Sequence, residues 1–279
     1  MNYFFRLLLS LISIQTVQAQ LLGSSDFESQ PHGTAYIQEY WQKDGFKTET
    51  WDNGLADRTM IDSTISISGK KSLRVTYPQG QFGPGRNGCQ IALLFKPCDE
   101  LYLSYWLKFS DNFSWGTTNE GGKLPGLAGG KRCSGGETCD GTNGFSARFM
   151  WRAGGKVVLY LYHMDKPATY GEDLDLLFPS GKQVVFERGK WYHMMERVKI
   201  NTNASTFDGE VEVWVNGEHV LLRKGLRFTS NGDKVNDLYI STFHGGNDSS
   251  WAPKTTCYTW FDDIKVSTRK VDVAIVKKP

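Results

Sequence analysis

Short strand-like runs separated by turn signals recur along this chain, and no helical periodicity is evident between them. The clearest runs are Ser72–Tyr77, Gln90–Phe95, Leu101–Phe109, Phe145–Trp151, Val157–Tyr162, Trp191–Ile200, Glu210–Val215, Leu238–Phe243 and Trp260–Ser267. Glycine, proline and asparagine punctuate the chain between them, and the Asn216-Gly217 pair predicts a tight hairpin turn. Many short strands with such turns predict an all-β fold, either a sandwich or a jelly roll.

Residues 1–19 have the pattern of a secretory signal peptide. Arg6 precedes the apolar run Leu7–Ile14, and small residues up to Ala19 provide a cleavage site. That run is too short to span a bilayer stably, and no other long apolar run occurs in the sequence. We therefore expect a secreted, extracellular protein without a membrane partner, which begins near Gln20. The remaining length suits one large β-domain or two small ones.

The net charge of the chain does not indicate which class of ligand the protein binds. A formal net charge of +2 is no indication of nucleic-acid binding, so any attraction for an acidic ligand must arise locally. The chain has 9 Trp, 12 Tyr and 16 Phe, and aromatic side chains on a secreted β-scaffold often stack on sugars, although most are expected in the core. We expect a monomer that binds no nucleic acid.

The cysteines suggest one local disulfide. Cys133 and Cys139 flank a short loop and are the best candidates for pairing in an oxidising compartment. Cys89 and Cys98 bracket an extended run, and a straight strand would hold them too far apart to bond. Because the number of cysteines is odd, at least one thiol is free or pairs between molecules.

Familiar cofactor and metal motifs are absent or out of context. Gly83–Gly88 matches the dinucleotide fingerprint G-x-G-x-x-G, but a strand-like run follows it where the fingerprint needs a helix. The histidines show no metal-ligand spacing, and no Gly-x-Ser-x-Gly elbow occurs. We therefore expect neither a metal nor an organic cofactor. His244, at the end of a predicted strand, either lines a cleft and contacts a substrate or is a structural histidine.

Glu210 and Glu212 put two carboxylates on one face of a predicted strand, as the acid and base of a glycoside hydrolase require. Such a pair is more often the solvated face of an outer strand whose other face carries core valines. A hydrolase, which would release saturated ends, is therefore only an alternative.

The stretch from Ser110 to Gly144 is rich in glycine, contains Pro125 and includes the candidate disulfide, so we expect a structured loop rather than core. Long loops on a rigid scaffold are often functional. The most distinctive part, Gly121–Gly130, surrounds Lys123 with backbone that can bend close to a ligand.

One hairpin-like segment carries polar residues at alternate positions of two strand-like runs. Ser146 and Arg148 share a face of the first run, and Tyr160 and Tyr162 share a face of the second. A three-residue turn at Ala153–Gly155 would place Arg148 opposite Tyr160 on a common polar face. A two-residue Gly-Gly turn would send the tyrosines to the other face, because a one-residue slip inverts every side chain.

One set of residues fits the chemistry of a polyuronate lyase, which removes the proton on C5 and expels the C4 oxygen. The set is Lys123, Ser146, Arg148, Tyr160 and Tyr162. The C5 proton is far too weakly acidic unless the adjacent carboxylate is neutralised, which Arg148 and Ser146 would do by hydrogen bonding. A base then takes the proton and an acid protonates the leaving oxygen. A nearby guanidinium lowers the pKa of tyrosine and lysine and so suits them to proton transfer. For the hairpin alone, ordinary cross-strand pairing is an equal alternative.

The chain resembles polysaccharide lyase family 14, which contains alginate lyases and glucuronan lyases. The resemblance is strongest in Lys123–Leu127 (KLPGL), Gly144–Trp151 (GFSARFMW) and Tyr160–Asp165 (YLYHMD). It implies one domain over residues 20–279, a β-jelly roll sandwich of two antiparallel sheets with a concave substrate cleft. The resemblance also implies a secreted lyase that acts on an acidic polysaccharide, with mannuronate-rich alginate as the expected substrate.

The resemblance also assigns roles. The family's catalytic lysine falls on Lys123, its serine and arginine on Ser146 and Arg148, and its tyrosine pair on Tyr160 and Tyr162. Arg148 and Ser146 would hold the uronate carboxylate, while Lys123 and one tyrosine, by preference Tyr162 as acid, would transfer protons. Alternatives are a glucuronan lyase of the same fold and a non-catalytic carbohydrate-binding jelly roll.

Overall fold

The computed structural model describes residues 21–275 and shows a nearly all-β protein. The predicted signal peptide, residues 1–19, lies outside the described residues. The strands are β1 (Leu21–Ser25), β2 (Lys47–Asn53), β3 (Thr59–Asp62), β4 (Ser72–Tyr77), β5 (Cys89–Cys98), β6 (Glu100–Phe109), β7 (Gly121–Gly129), β8 (Phe145–Arg152), β9 (Val157–Tyr162), β10 (Glu172–Asp175), β11 (Trp191–Lys199), β12 (Gly209–Val215), β13 (Glu218–Leu226), β14 (Val235–His244) and β15 (Cys257–Ser267). Short helices are α1 (Gln38–Lys43), α2 (Leu55–Arg58) and α3 (Lys270–Val273).

The strands form two antiparallel sheets. The sheet that we call the outer sheet has the order β13-β12-β11-β6-β15-β4-β3, with β1 added beside β15. The sheet that we call the cleft sheet has the order β10-β9-β8-β7-β14-β5-β2. Strands distant in sequence, such as β7 and β14, are neighbours, as the crossovers of a jelly roll require. The predicted fold class is confirmed.

The apolar core lies between the sheets, and a second cluster lies on the other side of the cleft sheet. Both follow from the alternation of side chains along a strand. The core includes Leu103, Tyr105 and Leu107 of β6 and Ala147, Phe149 and Trp151 of β8. The second cluster consists of Cys133, Cys139, Met150, Val158, Tyr160 and Tyr162.

All the strand-like runs predicted from the sequence correspond to observed strands, but the expected loop from Ser110 to Gly144 contains the buried strand β7. The prediction was wrong for residues 121–129, whose glycines allow close packing, and it is confirmed for the irregular backbone on either side. A Cβ at Gly122 would lie 2.0 Å from the Trp151 ring, and a Cβ at Gly126 would lie 2.0 Å from the carbonyl oxygen of Ala147. Only glycine lets the neighbouring groups approach so closely.

Two local predictions are confirmed. Val215 pairs with Glu218 across the Asn216-Gly217 turn, where both residues have positive φ, as a tight hairpin requires. The structure also contains the disulfide between Cys133 and Cys139. The other three thiols of the chain, at Cys89, Cys98 and Cys257, are free.

Between residues 21 and 275, no helix has the length and apolar character needed to cross a bilayer.

Candidate active site

The β8–β9 hairpin has the register that places its polar residues on one face. Arg148 pairs with Tyr160, and Ser146 pairs with Tyr162. The connection is the three-residue turn Ala153–Gly155, closed by a backbone hydrogen bond of 2.7 Å between the residues that flank it. The structure therefore has the odd-length turn rather than the two-residue alternative, and the shared face follows from it.

Lys123 reaches the same face from the neighbouring strand β7. It pairs with Met150 of β8, and its Nζ lies 4.8 Å from the centroid of the Tyr160 ring. Burial, together with the positive charges of Arg148 and Arg152, lowers the pKa of Lys123 to about 7. A large fraction of the amine is therefore neutral at neutral pH and can accept a proton.

Tyr160 and Tyr162 form a pair of phenols at the floor of the cleft. Their hydroxyl oxygens are 3.4 Å apart. The backbone N–H of Gly171 donates to the Tyr160 hydroxyl at 3.2 Å, and the N–H of Gly136 donates to the Tyr162 hydroxyl at 3.1 Å. Burial raises the pKa of Tyr160, so this phenol stays protonated. Desolvation by burial raises this pKa most, whereas the guanidinium of Arg152 acts in the expected direction and lowers it by less, so the net shift favours the protonated phenol.

Arg148 is a buried cation at the wall of the cleft. Its side chain is only 3% exposed, Nη1 donates to Ser241 Oγ at 3.1 Å, and the guanidinium carbon lies 5.0 Å from the centroid of the Tyr239 ring. Among the described residues, no carboxylate forms a salt bridge with it, and its Nε has no hydrogen-bond partner. An unpaired guanidinium at a cleft wall is suited to bind a carboxylate with two parallel hydrogen bonds.

These groups line a cleft of about 820 Å³. Its walls are formed by Pro84, Gln90, Lys123, Ser134, Gly135, Arg148, Arg152, Tyr160, Tyr162, Pro167, Tyr170, Gly171, Glu172, Asp173, Tyr239, Phe243, Gly246, Asn247 and Trp251. Arg152 is paired with Asp173 through contacts of 2.6 and 2.8 Å, so its charge is largely compensated. Among the described residues that line the cleft, Arg148 is therefore the uncompensated guanidinium available to an acidic ligand.

Two residues expected at the substrate lie elsewhere. Ser146 is on the predicted face, but it is fully buried, and its Oγ donates to the carbonyl of Cys133 at 2.9 Å beneath the disulfide loop. His244 is also fully buried, with ring nitrogens 2.6 Å from the Ser114 carbonyl and 3.2 Å from Asn87 Oδ1. Burial lowers the pKa of His244 to about 4, so its ring is neutral. In this structure both side chains are enclosed by protein and neither lines the cleft, and their contact with a substrate stays a prediction.

Sequence reasoning missed several cleft residues. Arg152 and Tyr239 lie on the cleft face because they continue the alternation that places Arg148 and Ser241 there. The alternation could have identified both. Tyr170 is 60% exposed at the rim and comes from an irregular segment, where no periodic signal exists.

Glu210 and Glu212 are on the outer sheet rather than in the cleft. Arg197 Nη1 binds both carboxylates, at 2.8 and 3.2 Å. The pair is therefore the charged face of a strand in the outer sheet. Neither carboxylate lines the cleft, so the two cannot act as the acid and base of a hydrolase there.

The cleft combines a neutral amine, an unpaired guanidinium and two phenols. Within residues 21–275, no group of three histidine, cysteine, aspartate or glutamate side chains is placed to hold a metal ion. A jelly roll with this cleft defines a carbohydrate-active protein of the polysaccharide lyase class. The chain belongs to the polysaccharide lyase 14 family, whose model matches residues 66–264. The resemblance inferred from the sequence is confirmed.

Solved structures of alginate lyases are similar over most of the chain. Alginate lyase Aly36B is 25% identical with a TM-score of 0.73, over 92% of this chain and 100% of its own; a variant of it was solved with an alginate tetrasaccharide. The PL-14 alginate lyase from Aplysia kurodai is 26% identical with a TM-score of 0.72, over 90% and 100%. The alginate lyase vAL-1 from Chlorella virus, 19% identical with a TM-score of 0.66 over 86% and 99%, shares the fold. No curated protein sequence matches this chain.

Proposed function

We propose that this protein is a secreted alginate lyase that cleaves mannuronate-rich chains by β-elimination and leaves unsaturated uronate ends. The strongest support is the convergence of Lys123, Arg148 and the two tyrosines on one wall of the cleft, where the lysine has a pKa of about 7. The similarity to alginate lyases supports the choice of polymer.

Arg148 neutralises the uronate carboxylate at the cleavage point. Its guanidinium has no anionic partner among the described residues, and its planar fork matches a carboxylate. Neutralisation allows negative charge from C5 to spread into the carboxyl group in the transition state, which is where electrostatic stabilisation accelerates the reaction.

Lys123 is the base. The lone pair of its neutral Nζ takes the proton from C5, and the electrons of the C5–H bond form the C4–C5 double bond. The C4–O4 bond breaks at the same time. A base with a pKa of about 7 is matched to a reaction near neutral pH.

Tyr162 is the acid that protonates the leaving O4. Its hydroxyl receives a hydrogen bond from the Gly136 N–H, which leaves its own proton free for the leaving group. The Tyr160 hydroxyl, 3.4 Å away, is held protonated by burial and supports the same proton transfer.

The position of these groups supports mannuronate over guluronate as the preferred sugar. Lys123, Tyr160 and Tyr162 all project from one face of the cleft sheet, so base and acid approach the sugar from the same side. In mannuronate, H5 and O4 lie on the same side of the ring, and such an arrangement serves both steps.

The test follows the unsaturated-uronate absorbance of poly-mannuronate, poly-guluronate, alginate and glucuronan treated with the mature protein. We expect the fastest rise on poly-mannuronate and none with Lys123→Ala. Binding without a rise on any polymer would support the carbohydrate-binding alternative, and a rise on glucuronan alone would support a glucuronan lyase. New reducing ends without absorbance would mean hydrolysis.

Secretion is tested with the full chain. The disulfide at Cys133–Cys139 and the signal-peptide pattern of residues 1–19 both fit an oxidising extracellular compartment. We expect the mature chain in the medium with Gln20 as its first residue, and a chain retained inside the cell with an intact N-terminus would contradict this.

A further inference from the structure

The strand β7 carries a bulge directly beside Lys123. Side chains alternate between the two faces of a regular strand, so Lys123 and Leu127 would share a face. Leu127 is buried in the core, whereas Lys123 lines the cleft. The ladder shows the irregularity: the step from Lys123 to Gly126 lies opposite the step from Met150 to Arg148, which is one residue shorter. The bulge is therefore what turns Lys123 toward the cleft.

Two side chains of the outer sheet contact β7 through the core, one at the bulge and one at the residue that follows it. The hydroxyl of Tyr105 donates to the carbonyl of Pro125 at 3.0 Å, and the carboxyl group of Glu196 accepts a hydrogen bond from the backbone N–H of Leu127. Tyr105 and Glu196 are both fully buried on the neighbouring strands β6 and β11. A bulge disrupts the ladder, and a buried backbone group without a partner is costly. From the side opposite the cleft, Tyr105 thus satisfies a carbonyl within the bulge, and Glu196 satisfies the N–H of the residue directly after it.

Glu196 is a polar residue in an otherwise apolar part of the core. Its neighbours on the same face of β11, Met194 and Val198, are apolar and fully buried, and nothing among the described residues pairs with its Oε2. Burial raises the pKa of Glu196 well above its usual value, so the carboxyl group is neutral. Burial of a carboxyl group disfavours folding unless the group is hydrogen-bonded. Among the described residues, the hydrogen bond from the Leu127 N–H of β7 is the one that Glu196 makes.

We infer, on the basis of the proposed role of Lys123, that Glu196 and Tyr105 are positioning residues that hold the β7 bulge and so orient Lys123 toward the substrate. Neither residue lines the cleft, and each acts through the backbone of β7. When either contact is lost, the bulge relaxes and Lys123 Nζ moves away from the Tyr160 ring into water. Misplacement of a reacting group by about 1 Å costs about 100-fold in rate.

The test compares four variants of the mature protein. Glu196→Leu removes the acceptor, Tyr105→Phe removes the donor, and Glu196→Gln keeps a neutral acceptor of the same shape. Val198→Ala is the control, because it removes core packing from the same face of β11 without removing a hydrogen bond to β7. We expect kcat on alginate to fall about tenfold or more in the first two, with KM within about threefold, and to stay within about twofold in the others.

The pH profile separates positioning from a loss of stability. Lys123 is faced by Arg148 and Arg152 of β8, Tyr160 of β9 and Asp173 of β10, and none of these groups is changed. Hydration of the displaced amine raises its pKa toward the ordinary value. The acid limb of kcat/KM therefore moves to higher pH by about one pH unit in the variants that lose a contact, and not in the control.

Titration of Lys123 itself tests the inference without any substrate. Reductive methylation with carbon-13 labels the lysines, and the NMR signal that is missing in Lys123→Ala reports the pKa of Lys123. An upward shift in Glu196→Leu, and none in Glu196→Gln, supports the inference even if the wild-type protein cleaves no polymer. If Glu196→Leu does not fold, Tyr105→Phe decides in the same way. An unchanged pKa and an unchanged pH limb, with only a lower Tm as in Val198→Ala, would overturn it.

Discussion

The Nζ of Lys123 lies over the face of the Tyr160 ring, 4.8 Å from its centroid, although the two residues are on strands separated by β8. Burial acts on the two groups in opposite directions, because it lowers the pKa of the lysine and raises that of the tyrosine. At neutral pH the phenol is thus held in its uncharged form, and a large fraction of the amine is uncharged as well. A neutral amine beside the pair of phenols fits the proposed elimination, in which Lys123 is the base and Tyr162 is the acid.

Activity should therefore rise with pH through about 7. The pKa of Lys123 is about 7, so the neutral amine, which is proposed to accept the C5 proton, predominates above that pH and is lost below it. The measurement is the initial rate of unsaturated-uronate formation on poly-mannuronate as kcat/KM between pH 5 and pH 10. A limb near the ordinary lysine value, or no limb, would contradict the assignment of Lys123 as the base.

Replacing Lys123 by methionine should stabilise the fold while it abolishes turnover. The folded-state pKa lies below the ordinary value of 10.5, so between about pH 7 and 10.5 the unfolded chain binds more protons, and the free energy of unfolding rises with pH. Lys123→Met removes this pH dependence. Because methionine has no charge to desolvate, the substitution should raise Tm at pH 7 by roughly a few degrees. The matched control is Lys182→Met, an exposed lysine, whose Tm should follow the wild-type pH profile. A lower Tm for Lys123→Met would show that the buried amine does not lower the free energy of unfolding.

Arg148→Lys should lose most activity although it keeps the charge. A lysine cannot provide the planar pair of donors, and it would leave the space beside the Tyr239 ring poorly filled. We expect kcat/KM on alginate to fall by about 100-fold or more, the scale seen when one oxyanion donor is removed. Arg269→Lys, at an exposed position near α3, controls for the substitution itself. Activity of Arg148→Lys within about threefold of wild type would indicate that charge alone suffices.

The hairpin and the lysine strand show how far sequence reasoning extends. The shared face of Ser146, Arg148, Tyr160 and Tyr162 follows from strand alternation and the length of a turn, which are both local. The placement of Lys123 in a central strand could not be predicted, because glycine and Pro125 are typical of loops and the bulge is supported by residues of the other sheet.

Burial of individual site residues depends on contacts that are distant in sequence. The loop that carries Cys133 covers Ser146, and a segment around Ser114 covers His244. Neither contact has a periodic or compositional signature. The sequence could therefore place Ser146 on the correct face but could not show that the disulfide loop lies over it.

The two tyrosines should differ in their effect on turnover. Tyr162→Phe removes the proposed proton donor to O4, and we expect kcat to fall by about 100-fold or more while KM changes little. Tyr160→Phe removes only a supporting hydroxyl, so a smaller loss is expected. Both variants are compared by steady-state rates on poly-mannuronate, with circular dichroism to check folding. A larger loss in Tyr160→Phe would exchange the roles of the two residues.

Opening the disulfide should lower both activity and stability. The ring closed by Cys133 and Cys139 holds the Gly136 N–H against the Tyr162 hydroxyl and covers Ser146. Cys139→Ser frees this segment, so we expect kcat to fall by roughly tenfold and the free energy of unfolding to fall by about 2 kcal/mol. Steady-state rates on poly-mannuronate and denaturant unfolding measure the two effects, and Cys98→Ser, which alters a free thiol, should change neither. Loss of stability with an unchanged kcat would mean that Tyr162 keeps its position without the donor from Gly136.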